Sequence, residues 1–202
     1  RLLRLISFII TVTSPGIYVA VLTFHQEMIP TALLISLSAA REGVPFPTIV
    51  ETLGMLLVFE ILREAGIRMP SHIGQSLSIL GALVLGTAAV DARIVSASVI
   101  IVVALSGLTG LMTPKIKGPS IILRLILTLL SGFLGLYGFV FGIMGAAFHL
   151  CSIRSFGVPY MMSFTSLNAD DLKDTIVRAP LWFMKVRPRF ISEKNKVRYR
   201  SE

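Results

Sequence analysis

Charge is the scarcest property of this sequence. Only 15% of the 202 residues are charged, whereas 54% are hydrophobic and the mean hydropathy is +0.81. Soluble globular domains carry nearer a quarter of charged residues. The composition therefore argues against a disordered protein, a nucleic-acid-binding tail and an ordinary cytosolic enzyme. A soluble protein with a large apolar core is the less favoured alternative.

Cysteine and catalytic motifs are also nearly absent. The single cysteine, Cys151, excludes an intrachain disulfide and a zinc site built from paired cysteines. His149 precedes it by two residues and would not share a helical face with it, so a packed pair is favoured over a nucleophile. With His25 and His72, this histidine shows no metal-ligand spacing, and no Gly-Lys-Ser phosphate loop occurs. We therefore predict no enzymatic activity, no cofactor and no metal.

Four charge-free runs dominate what is present. They cover residues 5–24, 73–90, 94–114 and 125–150. A run of 18 residues makes ~27 Å of helix, just enough for the ~30 Å hydrocarbon core of a bilayer. The last run is longer than needed, and we expect it to tilt or project. The sequence predicts an all-α, polytopic membrane domain over residues 1–150 with about four spanning helices, followed by a basic cytoplasmic tail over residues 151–202.

A further helix is predicted from Pro47 to Gly66, and its glutamates make it unsuited to lipid. Only eight residues separate Glu51 from Glu60. We expect this helix to lie in the membrane interface, or to re-enter the membrane where the bundle or water covers it.

The glutamates of this helix are candidates for an ion path or a pore mouth: Glu51, Glu60 and Glu64. A carboxylate at the centre of a membrane helix costs ~2.5 kcal/mol or more, so it usually faces a partner or water. Glu60 and Glu64 are one turn apart and share a face, while Arg63 and Arg68 are near enough to neutralise them. The alternative is an interfacial helix held by ordinary ion pairs.

The second charge-free run carries a face of small and polar residues at three- or four-residue spacing. Such a face either packs closely against another helix or lines water. An amide in a dry interface needs a partner, which favours water for Gln75. The pore-lining candidates are Gln75, Ser78, Ala82 and Gly86. The run 94–114, which also has small residues, is the rival.

Orientation follows from Lys and Arg, which favour the cytoplasmic side. The tail holds 10 Lys/Arg against 5 acids, and a basic end beside apolar runs indicates a membrane surface more than nucleic acid. Placing the tail in the cytoplasm puts the N-terminal end and the turn at Arg93 there too. The loop with Lys115, Lys117 and Arg124 then falls outside, which violates the rule.

The tail contains a candidate membrane anchor. A helix is predicted from Asn168, a natural N-cap, to just before Pro180. Aromatic and basic residues follow, a pattern typical of an interfacial anchor; a solvated basic tail with one buried turn is an equal alternative. The anchor candidates are Trp182, Phe183, Lys185, Arg187 and Arg189.

Several segments resemble the membrane region of the GerA family, the A subunits of bacterial spore germination receptors. They are residues 24–51, with REGVPFP at 41–47, residues 59–90, with REAGIR at 63–68, and residues 150–164 and 171–188. The resemblance covers essentially the whole chain. Thr87 and residues 91–93 depart from the family pattern in a minor way.

This resemblance implies a subunit of the spore inner membrane that works with a transporter-like B subunit and a lipoprotein C subunit. It also implies a large soluble N-terminal domain upstream, which fits a chain that begins at Arg1. Such subunits are expected to form a homo-oligomeric ring that conducts ions when nutrient binds, or an accessory channel of the stage V sporulation AF type. A non-conducting scaffold or signal-relay subunit and a solute transporter stay open as alternatives.

Overall fold

The computed structural model describes residues 2–69, 71–155 and 158–161, and for residues 71–80, 155, 158 and 159 the backbone alone. Short 3-10 turns at residues 26–28 and 114–116 precede the second and sixth helices, and two two-residue strands form a hairpin after the sixth. The all-α prediction is confirmed apart from this hairpin. The helices of the described residues are α1 (Leu2–Phe24), α2 (Thr31–Ala40), α3 (Thr48–Arg68), α4 (Ser71–Asp91), α5 (Ala97–Leu111) and α6 (Lys117–Ser152).

The chain divides into two compact units, Ile6–Ile143 and Arg1–Leu5 with Met144–Glu202. In the second unit the last turns of α6 lead into β1 (Arg154–Ser155), which pairs antiparallel with β2 (Val158–Pro159). The amide of Tyr160 donates to the carbonyl of Ile153 at 2.9 Å and closes the hairpin. The anchor candidates and the predicted helix 168–179 lie outside the described residues.

Helices α1 and α5 run antiparallel in the first unit. The hydroxyl of Ser7 lies 3.0 Å from the sulfur of Met112, and the Tyr18 hydroxyl lies 2.7 Å from that of Ser98. Contacts near the start of α1 therefore fall at the end of α5, and contacts further along α1 fall at its start. This antiparallel pair defines the two ends of the first unit, and the directions of the other helices are described relative to those ends.

Helix α3 runs parallel to α5 along its whole length. Near its start, Glu51 accepts from the backbone of Ser96; further along, Phe59 packs on Gly107 and Arg63 approaches Gly110. Glu51 and Arg63 are buried, as expected for the alternative in which the bundle covers the helix. The interfacial placement stays a prediction.

Helix α6 folds back on itself at Gly135. This residue has φ 63° and ψ −144°, a left-handed conformation that glycine adopts without steric cost. A side chain at Gly142 would lie 2.5 Å from Leu127 Cδ2, although a continuous helix would place the two residues about 22 Å apart at 1.5 Å per residue. A Cβ at Gly138 would overlap the Leu130 carbonyl oxygen. The prediction of one long tilted helix over 125–150 is therefore wrong: α6 has a first arm (residues 117–134) and a second arm that starts at residue 136.

The two ends of the first unit differ in charge. We call the end with Ser7 and Met112 the basic end: it has five Lys/Arg and two Glu, namely Arg63, Arg68, Lys115, Lys117, Arg124, Glu60 and Glu64. The opposite, acidic end has two Arg and four acids, namely Arg41, Arg93, Glu27, Glu42, Glu51 and Asp91. The predicted sides of the Arg93 turn and the 115–124 loop are therefore wrong relative to α1. Treating α3 as a helix that does not run the length of the bundle produced the error.

The first unit is polar inside and apolar outside. Among the described residues, buried polar or charged residues outnumber buried hydrophobic ones by 13 to 10. Large apolar side chains are exposed on several helices, including Phe133 (73%), Tyr137 (72%) and Ile101 (68%). A soluble monomer rarely exposes apolar patches beyond a few hundred Å². This distribution is the opposite of that expected for a water-soluble bundle.

Candidate functional site

An ionic cluster lies inside the first unit, between α3 and α6. Arg124 Nη2 lies 2.5 Å from Glu60 Oε1, and Arg63 Nη2 lies 2.5 Å from Glu60 Oε2, so one carboxylate holds two guanidinium groups. The exposed fractions of these side chains are 1% for Arg124, 9% for Arg63 and 16% for Glu60. The cluster joins α3 to the first arm of α6.

Hydroxyl groups extend the cluster to α5 and α1. Arg124 Nη1 donates to Ser106 Oγ at 2.9 Å, and Ser106 Oγ donates to the carbonyl of Thr11 at 2.8 Å. The Thr11 hydroxyl lies 2.9 Å from that of Thr109. Four helices therefore meet at one polar network, and a movement of any one of them perturbs the rest.

The cluster carries more positive than negative charge. Glu60 offers one negative charge to two arginines, and burying an unbalanced charge is costly. Among the described residues, Arg63 Nε and Arg124 Nε are buried and have no hydrogen-bond partner. The arrangement therefore has unused donors and one uncompensated positive charge.

Glu51 occupies a separate polar site at the acidic end. One carboxylate oxygen accepts from the backbone N–H of Ser96, the N-cap of α5, where the helix dipole favours an anion. The other oxygen is 4.0 Å from Arg41 Nε. This side chain also lines an otherwise apolar cavity of about 320 Å³ between α3, α4 and the turn that joins α4 to α5. Glu51 is thus placed to hold the start of α5 against α3.

The glutamate candidates do not form one site. Glu60 points into the bundle, whereas Glu64, one turn later, is 58% exposed and pairs with Arg68 at 2.9 Å. The expected neutralisation by Arg63 and Arg68 is observed, but the two glutamates differ in burial: the Glu60 side chain is 16% exposed and that of Glu64 is 58% exposed. Sequence analysis missed Arg124, which it treated as a flank of the last run. The spacing of Ser120, Arg124, Thr128 and Ser131, a buried stripe along the first arm of α6, is the signal that could have found it.

The small-residue face of α4 packs against other helices of the same chain. Gly86 is buried against Ile100, and both Ala82 and Gly86 line a cavity of about 70 Å³ shared with α3 and α5. This position matches the packing alternative for these two residues. The side chains of Gln75 and Ser78 lie outside the described part of the structure, so for them the pore-lining role stays a prediction.

No group of three or more His, Cys, Asp or Glu side chains in the described part of the chain could hold a metal ion. Cys151, at the end of α6, is exposed.

Comparison with known proteins gives consistent matches. Residues 1–190 match the model of a family described as Bacillus/Clostridium GerA spore germination protein. The chain is 46% identical over 200 residues to spore germination protein KA of Bacillus subtilis (strain 168), covering 98% of this chain and 37% of that protein. It is 45% identical over 197 residues to the uncharacterized membrane protein YfkQ of the same organism, covering 96% and 38%.

A relative from another species is matched over a similar share of its length. The chain is 39% identical over 197 residues to spore germination protein GerLA of Bacillus cereus, covering 96% of this chain and 40% of that protein. The chain thus spans about two fifths of the length of the curated relatives it matches. No solved structure matches it.

Proposed function

This chain belongs to the GerA family of spore germination proteins, and we propose that it is a membrane subunit of a germinant receptor in the spore inner membrane. The observation that carries the proposal is the family match over residues 1–190, which includes the whole first unit. The names of its relatives, spore germination proteins and a membrane protein, agree with this role.

The proposed membrane placement follows from the inverted polarity of the first unit. Lipid accepts the exposed apolar side chains, while the polar groups satisfy one another inside. By length and composition, α1 (Leu2–Phe24) is able to cross a bilayer; the apolar segment Pro114–Ser152 is long enough as well, but because it folds back at Gly135 it would enter the bilayer as two arms. We propose that α3, α4 and α5 cross beside them, because all three reach between the same two ends. The Lys/Arg excess then puts the basic end in the cytoplasm, and the loop at 115–124 no longer violates the charge rule.

The finer proposal is a nutrient-gated ion channel. Several copies of the subunit would form a ring, with nutrient recognised by a transporter-like B subunit and a lipoprotein C subunit completing the receptor. Nutrient binding would favour an open arrangement of the ring through its differential affinity for the two states. The cluster at Glu60 ties four helices together, so a gating movement would be transmitted as a unit.

The proposed channel assigns different roles to the glutamates. Glu64 is exposed at the basic end and is the candidate for a pore mouth. Glu51 and Glu60 are engaged by partners on other helices, so we assign them to holding α3 in place.

The α4 face remains the proposed pore lining and has a direct test. Ser78→Leu in the full-length protein should block nutrient-triggered ion release while leaving subunit levels normal, and Ala82→Leu tests the packing alternative at the neighbouring turn. Loss of the subunit would establish packing instead, which the position of Ala82 against α3 and α5 favours for that residue. Unchanged ion release would remove α4 from the pore and leave α5 as the rival.

A non-conducting scaffold or signal-relay subunit is the main alternative, and an accessory channel of the stage V sporulation AF type is another. The nearly equal identity to protein KA and to YfkQ, 46% and 45%, keeps these alternatives open.

The conductance of the purified full-length oligomer in liposomes distinguishes a channel subunit from a non-conducting scaffold. A channel subunit conducts, and does so with nutrient when reconstituted with its B and C subunits. Absence of conductance in the reconstituted receptor, with nutrient binding intact, would establish the scaffold.

A further inference from the structure

Helix α2 is apolar on every side and has no buried residue. Its ten residues, Thr31–Ala40, include no charged side chain. Leu33, Leu34 and Ile35 alone point in three different directions, because successive residues of a helix are about 100° apart. A helix that is hydrophobic all round is normally buried in a protein core or in a membrane. The chain's own helices do not bury α2.

Lipid alone does not suit this helix either. Ten residues make ~15 Å of helix, half of the ~30 Å hydrocarbon core, so α2 does not span a bilayer. A helix that lies in the interface has a charged or polar face opposite its apolar one, and α2 has no such face. Arg41, the residue after α2, lies 4.0 Å from Glu51, which places the end of α2 at the acidic end of the first unit. We therefore expect another protein surface to cover α2 at that end.

An open apolar groove lies at the same end, between α3, α4 and the turn that joins α4 to α5. It is the cavity of about 320 Å³ described above, and Val50, Leu85 and Ile94 in its wall are about half exposed. Gly54 also lines it, and a Cβ at this glycine would meet nothing within 4 Å. From Val50 to Val58 the groove follows α3 for ~12 Å at 1.5 Å per residue, close to the length of α2.

The charges beside the two surfaces are complementary. Glu27 precedes α2 and is exposed, and Arg93, next to Ile94 at the rim of the groove, is exposed too. Among the residues that the structure describes, neither belongs to an ion pair. Glu42, the acid after α2, precedes Gly43, against which the Arg93 side chain of the same copy already lies. Glu27 is therefore the acid that remains for the Arg93 of a neighbouring copy.

We propose that α2 of one copy docks in the α3–α4 groove of a second copy, with Glu27 of the first facing Arg93 of the second. The inference rests on the oligomeric subunit of the proposed function and names the surfaces that join its copies. Two different surfaces meet, so the contact is head-to-tail, and repetition of such a contact closes a ring where the rotation allows it. Opposite charges at the rim fix the register of the contact.

Disulfide formation between copies tests the contact. Two differently tagged forms of the full-length protein, each freed of its other cysteines, are produced together, one with Ile35→Cys and the other with Gly54→Cys. Both positions are exposed, so neither change disturbs the packing of its own chain. Each copy carries one cysteine, so any disulfide joins two copies. We expect mild oxidation to give a dimer that carries both tags.

Gly118→Cys is the matched control for Gly54→Cys. Gly118 is also an exposed helical glycine at which a side chain meets nothing within 4 Å, but it lies at the basic end. A disulfide from Ile35→Cys to Gly54→Cys and not to Gly118→Cys supports the docking. Equal yields with both, or pairing of Ile35→Cys only with itself, overturn it. No disulfide at all also overturns it, and reaction of Ile35→Cys with a bilayer-soluble maleimide would then assign the cover of α2 to lipid.

Charge reversal tests the register. Arg93→Glu, made in both tagged forms, should lower the yield of cross-linked dimer about threefold, the effect of one exposed ion pair. Adding Glu27→Arg to the same chains should restore the yield, since the two charges are then exchanged. A double variant no better than Arg93→Glu overturns the pairing of these charges across the contact.

The mass of the wild-type full-length protein separates this inference from the proposed ring. The protein is extracted with its native membrane in polymer nanodiscs and its mass is measured by native mass spectrometry. An oligomer whose residues 35 and 54 form no disulfide contradicts the docking alone. A monomer contradicts the ring of the proposed function as well.

Discussion

Removing Glu60 should destabilise the protein far more than removing the glutamate one turn away. Glu60→Gln keeps the side-chain shape but leaves Arg63 and Arg124 buried without a counter-charge. Breaking a buried ion pair in this way costs ~3 kcal/mol or more. Glu64→Gln breaks a pair whose side chains are 58% and 78% exposed, and such pairs contribute less than ~1 kcal/mol. The two variants therefore differ in burial and not in chemistry.

Arg124→Gln should destabilise the protein less than Glu60→Gln and more than Glu64→Gln. Its loss leaves Glu60 paired with Arg63, so the charge balance of the cluster improves, but the hydrogen bond to Ser106 disappears. Losing a partner of a buried polar group costs ~1–3 kcal/mol. The free energy of unfolding of each full-length variant, measured by denaturant titration in detergent micelles, gives the order Glu60→Gln, Arg124→Gln, Glu64→Gln from most to least destabilised. Equal values for the two glutamate variants would refute the reasoning, because they would mean that Glu60 is not buried among the arginines.

Three further predictions follow from the fold and the tail. Gly138→Ala should destabilise the protein by ~1–3 kcal/mol or more, since a Cβ there overlaps the first arm of α6, while Gly118→Ala, which meets nothing within 4 Å, should be neutral in the same unfolding assay. Cysteines introduced at Glu42 and Glu64, both exposed, should react with a membrane-impermeant reagent from opposite sides of the membrane. Labelling of both positions from one side would show that α3 lies in the interface and does not cross. A peptide of residues 168–190 should bind anionic vesicles at low salt and lose that binding as salt screens the charges, and indifference to the vesicles would remove the anchor.

The helices could be read from the sequence because their signals are local. Pro47 marks the start of α3, and the charge-free runs mark α1, α4 and α5 closely. The reversal in α6 could not be read, because Gly135 is one of several glycines in an apolar run and only its contacts reveal the turn.

The candidate site was harder to predict, because its residues lie on different helices and only the packing of those helices brings them together. Glu60 drew attention as a charge in an apolar helix, but its partner Arg124 is 64 residues away and lies at the edge of another run. Spacing along one helix identifies neighbours within that helix and says nothing about which helix packs against it. The sides predicted for the Arg93 turn and the 115–124 loop were wrong relative to α1, because both depended on whether α3 runs the length of the bundle.

Germination of spores tests the central claim most directly. The gene for the full-length protein is deleted in a strain that lacks its other GerA-family proteins, and ion release is recorded after exposure to amino acids, sugars and nucleosides. Restoring the wild-type gene should restore release to at least one of these nutrient classes, whereas the Glu60→Gln gene should restore little. Spores that release ions equally well with and without the gene would contradict the assignment of this chain to a germinant receptor.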